Sequence, residues 1–238
     1  MNVEIPLNLA LDTAWDNVCD SYREGCSLLG AGCVADYDAR EGILYASTGS
    51  KDLTPGSTAT ASAFRFNSEG AVSDLVVLNC GDSRTLVVGE PTTESSFVHF
   101  VTRDHVPSCP IEDRRLRSND TFSNPKCSMN KYWLSIGDYR YALSRSLEGQ
   151  FATSKGIVSE SDLYTIDLED LADSRTQGII IQASDGLFEV LDNEEVARNA
   201  VAIRKQGLNS QECAKLLCQM AAKKKTSDNV SVVVIYME

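Results

Sequence analysis

The 238-residue sequence has only two histidines, two tryptophans and four methionines, and aromatic residues make up 7% of it. Nothing in it approaches the roughly 18 consecutive apolar residues that a membrane span needs, which argues against a transmembrane protein. Its first residues, Met1-Asn2-Val3-Glu4-Ile5-Pro6, hold no basic stretch followed by an apolar one, so no secretory signal is expected. Positive charge is also short: 22 Lys and Arg face 34 Asp and Glu, a net charge of −12. That balance excludes nucleic acid and anionic membrane as the expected partners. Cysteine is not scarce, but its useful patterns are absent. Cys19, Cys26, Cys33, Cys80, Cys109, Cys127, Cys213 and Cys218 form no CxxC and no Cys/His pairing of zinc type. Eight cysteines without a secretory signal read as reduced, partly buried structural thiols, and the expected location is intracellular, cytoplasmic or nuclear.

What is present is a chain that is 42% hydrophobic, enough to bury a sizeable core. Its length suits one large domain, with no internal repeat or interdomain linker, and a monomer is expected. Pro6 sits where its missing N–H costs a helix nothing. Leu7, Leu11, Ala14, Trp15, Val18, Cys19 and Tyr22 follow at helical spacing and predict one apolar face. A strand-rich section comes next, with candidates at Gly32–Ala35, Ile43–Ser47, Ser57–Phe66, Asp74–Cys80, Arg84–Val88 and Val98–Thr102. Short strands between turn signals predict mainly antiparallel hairpins. Cys80-Gly81-Asp82-Ser83-Arg84 reads first as a structural hairpin turn and second as a substrate contact. Ile111–Leu116 predicts a short helix inside an otherwise polar, irregular stretch, Ser108 to Lys131, of the kind that forms a lid or binding segment.

Gly178 to Val196 carries the strongest local signal. The run Ile179-Ile180-Ile181 is too short for a helix and reads as a strand buried on both faces. Asp185 closes it on a rigid strand end, which by itself reads first as a turn or cap acid and second as a well-placed metal ligand, and Gly186 lets the chain turn. Asp192 or Asn193 then caps a helix, with Glu195 as a capping-box partner of Asp192. That helix runs from about Glu194 to Gln206 and stops at Gly207. A second begins near Asn209 or Ser210, buries Cys213, Leu216, Leu217 and Met220, and ends in Lys223-Lys224-Lys225, which suit the negative end of a helix dipole. Val230–Tyr236 predicts the last strand.

Taken together, six ordered signatures are specific. They are Gly56-Ser57-Thr58-Ala59, Asn79-Cys80-Gly81-Asp82-Ser83-Arg84, Thr102-Arg103-Asp104-His105-Val106-Pro107, Leu143-Ser144-Arg145-Ser146-Leu147, Ala183-Ser184-Asp185-Gly186-Leu187-Phe188-Glu189-Val190 and Ser227-Asp228-Asn229-Val230. In this order and at these separations the chain, from about Pro55 to Tyr236, resembles the PP2C (PPM-type) metal-dependent protein serine/threonine phosphatases. The resemblance implies an α+β fold, a β-sandwich of two mainly antiparallel sheets flanked by helices in four αββα layers, as a single domain over residues 1–238 with a flap at about 108–131. It implies a binuclear Mg²⁺ or Mn²⁺ centre in which Asp185 and Asp228 are metal ligands, while Asp104 and Glu189 help hold a further ion; at Glu189 the family more often has Asp. It also implies a phosphoprotein substrate whose phosphoserine or phosphothreonine is hydrolysed by a metal-activated water, with no other catalytic side chain. Hard cations of this kind take oxygen ligands. Two of them about 4 Å apart share, acidify and orient the attacking water. His105, in the Asp-His-x-Pro segment, reads first as structural and second as a general acid.

The sequence departs from the family in several respects that bear on activity. The Asp-Gly-His-Gly turn, whose aspartate bridges both metals, is not in it, nor is the phosphate-binding arginine upstream, and Asp36, Asp38 and Asp52 lie in no matching context. The family's Leu-Gly-Asp after Ser-Arg-x is Leu147-Glu148-Gly149 here. The chain therefore reads as an N-terminally incomplete member in which catalysis is expected to be weak or absent, with a protein-binding pseudophosphatase as the alternative.

Overall fold

Apolar runs of strand length alternate with turn residues through most of the chain, and they form strands. The computed structural model describes residues 6–28, 33–38, 43–48, 56–70, 72–89, 97–118, 127–136, 139–148, 156–168 and 178–237. In chain order the elements are α1 (Leu7–Leu28), β1 (Cys33–Asp38), β2 (Ile43–Thr48), β3 (Gly56–Ser57), β4 (Ala59–Phe66), β5 (Val72–Cys80), β6 (Arg84–Val88) and β7 (Val98–Val101). Then come α2 (Pro110–Arg117), β8 (Cys127–Met129), β9 (Leu134–Ile136), β10 (Tyr139–Tyr141), β11 (Leu147–Glu148) and β12 (Asp162–Asp167). The chain closes with β13 (Ile179–Ala183), the short helix α3 (Asp185–Phe188), α4 (Asn193–Lys205), α5 (Ser210–Lys223) and β14 (Val232–Tyr236). They fall into two compact units, one built mainly from Ala59–Asp104 and Asp162–Glu238, the other from Leu9–Thr58 and His105–Ser161.

In the first unit two antiparallel sheets face each other, one ordered β12-β5-β4 and one β14-β13-β6-β7. Strand periodicity of two decides what each residue buries. Leu75 and Val77 of β5, Val87 of β6 and Ile180 of β13 form the layer between the sheets, with Leu168, Phe64, Tyr164 and Ile235 around them. The alternate residues of β6 and β13, Leu86, Val88, Ile179, Ile181 and Ala183, turn to the opposite face and pack under α4 and α5 against Val196, Ala200, Cys213 and Leu217. This is why the Ile179-Ile180-Ile181 run has no polar alternation: all three side chains are at most 1% exposed. Each such side chain contributes about 1.5–3 kcal/mol of burial.

Helix caps explain where α4 and α5 begin. Asp192 accepts from the Glu195 N–H at 2.7 Å. The expected reciprocal bond from Glu195 is replaced, because its carboxylate holds Lys224 Nζ at 2.6 and 2.8 Å. The full capping box belongs to α5, where Asn209 and Glu212 satisfy each other's N–H at 2.9 Å. Just past α5, Lys225 adopts a left-handed φ of 63°. Left-handed backbone costs a side-chain-bearing residue about 1–2 kcal/mol, and glycine gives back about 0.4–1 kcal/mol through the unfolded chain. Lys225→Gly is therefore expected to raise unfolding stability by about 0.5–1 kcal/mol in urea denaturation; a loss of stability would contradict this account of the turn.

In the second unit α1 buries a narrower stripe than its pattern predicts. Trp15 and Cys19 are 7% and 4% exposed, whereas Val18 is 49% exposed. An i, i+4 pair makes the contact, and Trp15 Nε1 donates to the Ser159 carbonyl at 2.6 Å. The stretch from Ser108 to Lys131 holds the expected short helix, as the two-turn α2, and, after residues that lie outside those described, strand β8, which its polar sequence did not announce. Cys127 and Met129 form that strand with β9 because they pack on Leu116, Leu134 and Ile157. Of the cysteines whose side chains are described, all six are free thiols, three of them buried; Cys26 and Cys33 lie outside that set.

At the centre of this unit Glu112 is fully buried yet ionised. Its Oε1 accepts from Arg145 Nε at 2.9 Å and Nη2 at 2.6 Å. Its Oε2 accepts from Arg115 Nε at 3.1 Å and Nη2 at 2.9 Å, and from Ser144 Oγ at 2.8 Å. The Leu143-Ser144-Arg145-Ser146-Leu147 signature thus supplies two of the groups that satisfy a buried carboxylate. Burial alone would raise the Glu112 pKa; the Arg145, Ser144 and Arg115 contacts outweigh it and bring it down to about 2.

Candidate metal centre

The first unit gathers acids where β5 turns into β6 and where β13 passes into α3. Between β5 and β6, Gly81 has a φ of 112°, a turn that glycine adopts without strain, and Asp82 follows it. Arg84, first residue of β6, reaches out of the turn and grips Asp104: Nε donates to Oδ1 at 2.7 Å and Nη2 to Oδ2 at 2.6 Å. The same guanidinium donates through Nη1 to Asn193 Oδ1 at 2.9 Å and lies 4.7 Å from the Phe188 ring centroid. A bidentate Arg–carboxylate pair with a third bond fixes geometry as well as charge. Both oxygens of Asp104 are thereby engaged.

Asp185 sits on the first residue of α3, with Ser184 in the cap position between it and the end of β13. The seam between α3 and the segment preceding β14 is tight. Ser184 N–H donates to the Ser231 carbonyl, and Ser231 N–H to Ser184 Oγ, both at 3.0 Å. Gly186 is required here by close approach, not by the sharp turn its pattern suggested. A Cβ on it would overlap the Asn229 carbonyl oxygen and lie 3.2 Å from that carbonyl's carbon. Across this seam Asp185 is brought near Asp228, and Asp228 Oδ1 accepts from the Asn229 N–H at 2.6 Å.

The electrostatics of the cluster follow from that crowding. The Asp185 carboxyl is pushed up, first by partial burial and then by the charges of Asp228 and Glu189, although its residue surface is largely exposed. Asp82 is pushed up to about 6, by burial first, then by Asp185 and Asp104. Carboxyls pushed up in part by neighbouring negative charge are an arrangement a cation would relieve. Glu189 behaves differently: its carboxyl is lowered by hydrogen bonds from Thr226 and Ser227.

Among the described residues no group of three or more His, Cys, Asp or Glu side chains is assembled tightly enough to hold a metal ion by itself. The donor chemistry nevertheless fits a hard divalent cation, which takes carboxylate oxygens and keeps several waters. Of the four residues the sequence singled out, the structure brings Asp185 and Asp228 together, gives Asp104 to Arg84, and gives Glu189 to Thr226 and Ser227. The neighbouring acid that sequence reading left in a hairpin is Asp82, whose carboxyl feels Asp185 and Asp104. A second omission is the polar layer that ends the sandwich core below these acids. Gln182 of β13 places Nε2 3.1 Å from Thr85 Oγ1, 3.1 Å from Ser62 Oγ and 3.4 Å from Thr60 Oγ1, with Thr60 and Thr85 hydroxyls 2.7 Å apart. The signal for it was a lone glutamine closing an isoleucine run. His105 is fully buried, and its carbonyl accepts from Ser144 N–H at 2.9 Å.

Two sheets face to face, helices over the outer face of one, and acids at the strand ends define an α+β sandwich with a carboxylate cluster at one end. The sequence profile described as Protein phosphatase 2C matches residues 20–230, and the chain belongs to that family. Among its relatives, the rice (Oryza sativa subsp. japonica) "Probable protein phosphatase 2C 59" is 30% identical over 68% of this chain and 43% of its own length. Human "Protein phosphatase 1A" is 29% identical over 50% of this chain and 28% of its own length. The chain thus spans less than half the length of these relatives. A solved structure, serine-threonine phosphatase 2C from Toxoplasma gondii, superposes with a TM-score of 0.68 at 18% identity, covering 100% of this chain and 72% of that one. At that identity the likeness speaks for the fold.

Proposed function

We propose that this chain carries part of the active site of a protein serine/threonine phosphatase that acts on phosphoserine and phosphothreonine in proteins. The observation that carries the reading is the placement of Asp185 against Asp228 across the Ser184–Ser231 seam, a like-charged pair whose repulsion a divalent cation would relieve, with Asp82 next to Asp185. Asp185 and Asp228 would hold Mg²⁺ or Mn²⁺, with Asp82 beside them, and the binuclear arrangement is the one the family likeness supports. When bound, such ions supply a water of lowered pKa and charge to steady the phosphoryl oxygens. This chain's own residues do the positioning. Arg84 ties Asp104 to the start of α4, and the Ser184–Ser231 seam sets the separation of Asp185 from Asp228. A single profile match over most of the chain supports one phosphatase-type domain. The named phosphatases among its relatives support an enzyme over a non-catalytic binding module.

The test is phosphate release from a phosphothreonine peptide with Mn²⁺. Slow release that needs Mn²⁺ and falls by about 100-fold or more in Asp185→Asn, on the order of what one electrostatic catalytic group supplies, is the expected result. Release that survives chelation or the substitution would refute the reading. No release together with no Mn²⁺ binding would favour the binding module.

A further inference from the structure

Glu189 lies one helical turn beyond Asp185, and the family likeness would give it to a metal ion. The structure gives its carboxylate other work. Oε2 accepts from Thr226 Oγ1 at 2.6 Å and from the Ser227 N–H at 3.0 Å; Oε1 accepts from Ser227 Oγ at 2.7 Å. All three donors sit on the two residues immediately before Asp228. Thr226 Oγ1 is also 2.9 Å from the Gly186 carbonyl, so this hydroxyl lies between the backbone of α3 and the Glu189 side chain. The seam therefore has two fasteners. Ser184 pairs with Ser231 on the far side of Asp228, and Glu189 holds Thr226 and Ser227 on the near side.

We propose that Glu189 is a positioning residue: its carboxylate clips the Thr226–Ser227 backbone to α3 and thereby fixes Asp228 opposite Asp185. Asp228 stands in an exposed turn, where an unfastened segment would sample many backbone conformations. The length of the side chain is the reason for the assignment. A glutamate spans from α3 to the hydroxyls and N–H of the neighbouring segment, whereas an aspartate at this position, one methylene shorter, would fall short of them. A carboxylate offers about four acceptor sites, and three of them are used here by the clip. The consequence for metal affinity rests on the reading of Asp185 and Asp228 given above; the clip itself does not.

Two measurements on the full chain separate these. In chelator, amide exchange of Ser227 followed by NMR reports the clip without any metal. It is expected to quicken by about tenfold in Glu189→Asp and Glu189→Ala, the loss of roughly one hydrogen bond to a charged group. In Glu189→Gln, whose amide oxygen still accepts at full length, it is expected to change by less than about threefold, as for a bond to a neutral acceptor. Unchanged exchange in the Asp and Ala variants would overturn the proposal. With Mn²⁺ titrated by calorimetry, the clip predicts that Glu189→Gln binds more tightly than Glu189→Asp. The reverse order is what a direct ligand would give, since aspartate keeps the charge and glutamine loses it, and it would overturn the proposal. If the unaltered chain binds no Mn²⁺, the metal reading fails and the exchange data alone judge the clip.

Discussion

Glu112→Ala is expected to lower the unfolding free energy by about 3–5 kcal/mol, the range for breaking a buried ion pair by removing one partner. Glu112 is fully buried and accepts from two arginines and a serine. Its removal leaves Arg145, itself buried, without the carboxylate it faces. Glu112→Gln, which keeps the shape and loses the charge, is expected to fall between the two. The same group predicts the acid limb of stability. Its folded pKa, about 2, is below the ordinary value of 4.5, so the unfolded chain takes up the proton first as pH falls. The contribution is fully present above about pH 4.5 and is lost progressively as pH drops toward 2, and by linkage it is on the order of 3 kcal/mol. Urea denaturation at pH 7 and at acid pH checks both statements. A Glu112→Ala protein within about 1 kcal/mol of the parent would place the site among ordinary surface ion pairs and contradict the assignment.

Gly186→Ala is the second substitution with a large expected effect. The methyl would collide with the backbone carbonyl of Asn229, which cannot swing aside as a flexible side chain would. Relief requires the two segments to part, and the Ser184–Ser231 bonds hold them together. Overpacking of this kind costs about 1–3 kcal/mol. Its local consequence is the more telling one, because Asp185 immediately precedes Gly186 and Asp228 immediately precedes Asn229. The variant is expected to melt at a lower temperature and to lose Mn²⁺ affinity by more than its loss of stability would explain. A variant with parent-like melting and binding would show that the seam has room that the structure does not give it.

The β-sandwich was legible because its strands announce themselves. Leu75–Leu78, Leu86–Val88 and Ile179–Ile181 are apolar runs bounded by turn residues, and their register follows from which face each residue must bury. Strand β12 was not legible: Leu163, Tyr164 and Ile166 lie between Asp162 and Asp167, and the acids at its ends dilute the apolar signal. Helix starts were read well at Asp192 and Asn209, since a cap is a local bond. The partner of Glu195 was not, because Lys224 is 29 residues away. The site divides in the same way. Asp185 and Asp228 could be read from their motifs, each at the end of a conspicuous strand signal. Asp82 could not be separated from a turn residue, and nothing local distinguishes a Glu189 that faces a cation from one that faces Thr226 and Ser227. Those distinctions depend on which segments abut, and only the folded seam settles it.

The central claim is that Asp185 and Asp228 together form a cation site. Calorimetric titration of Mn²⁺ into the chain, beside Asp185→Asn and Asp228→Asn, tests it most directly. The account predicts saturable binding by the parent that either substitution weakens by at least about tenfold, the loss of one charge-assisted contact, with the double substitution no worse than the more damaging single one by more than a small factor, as expected of residues serving one site. Mn²⁺ binding that persists unchanged in the double variant would contradict it.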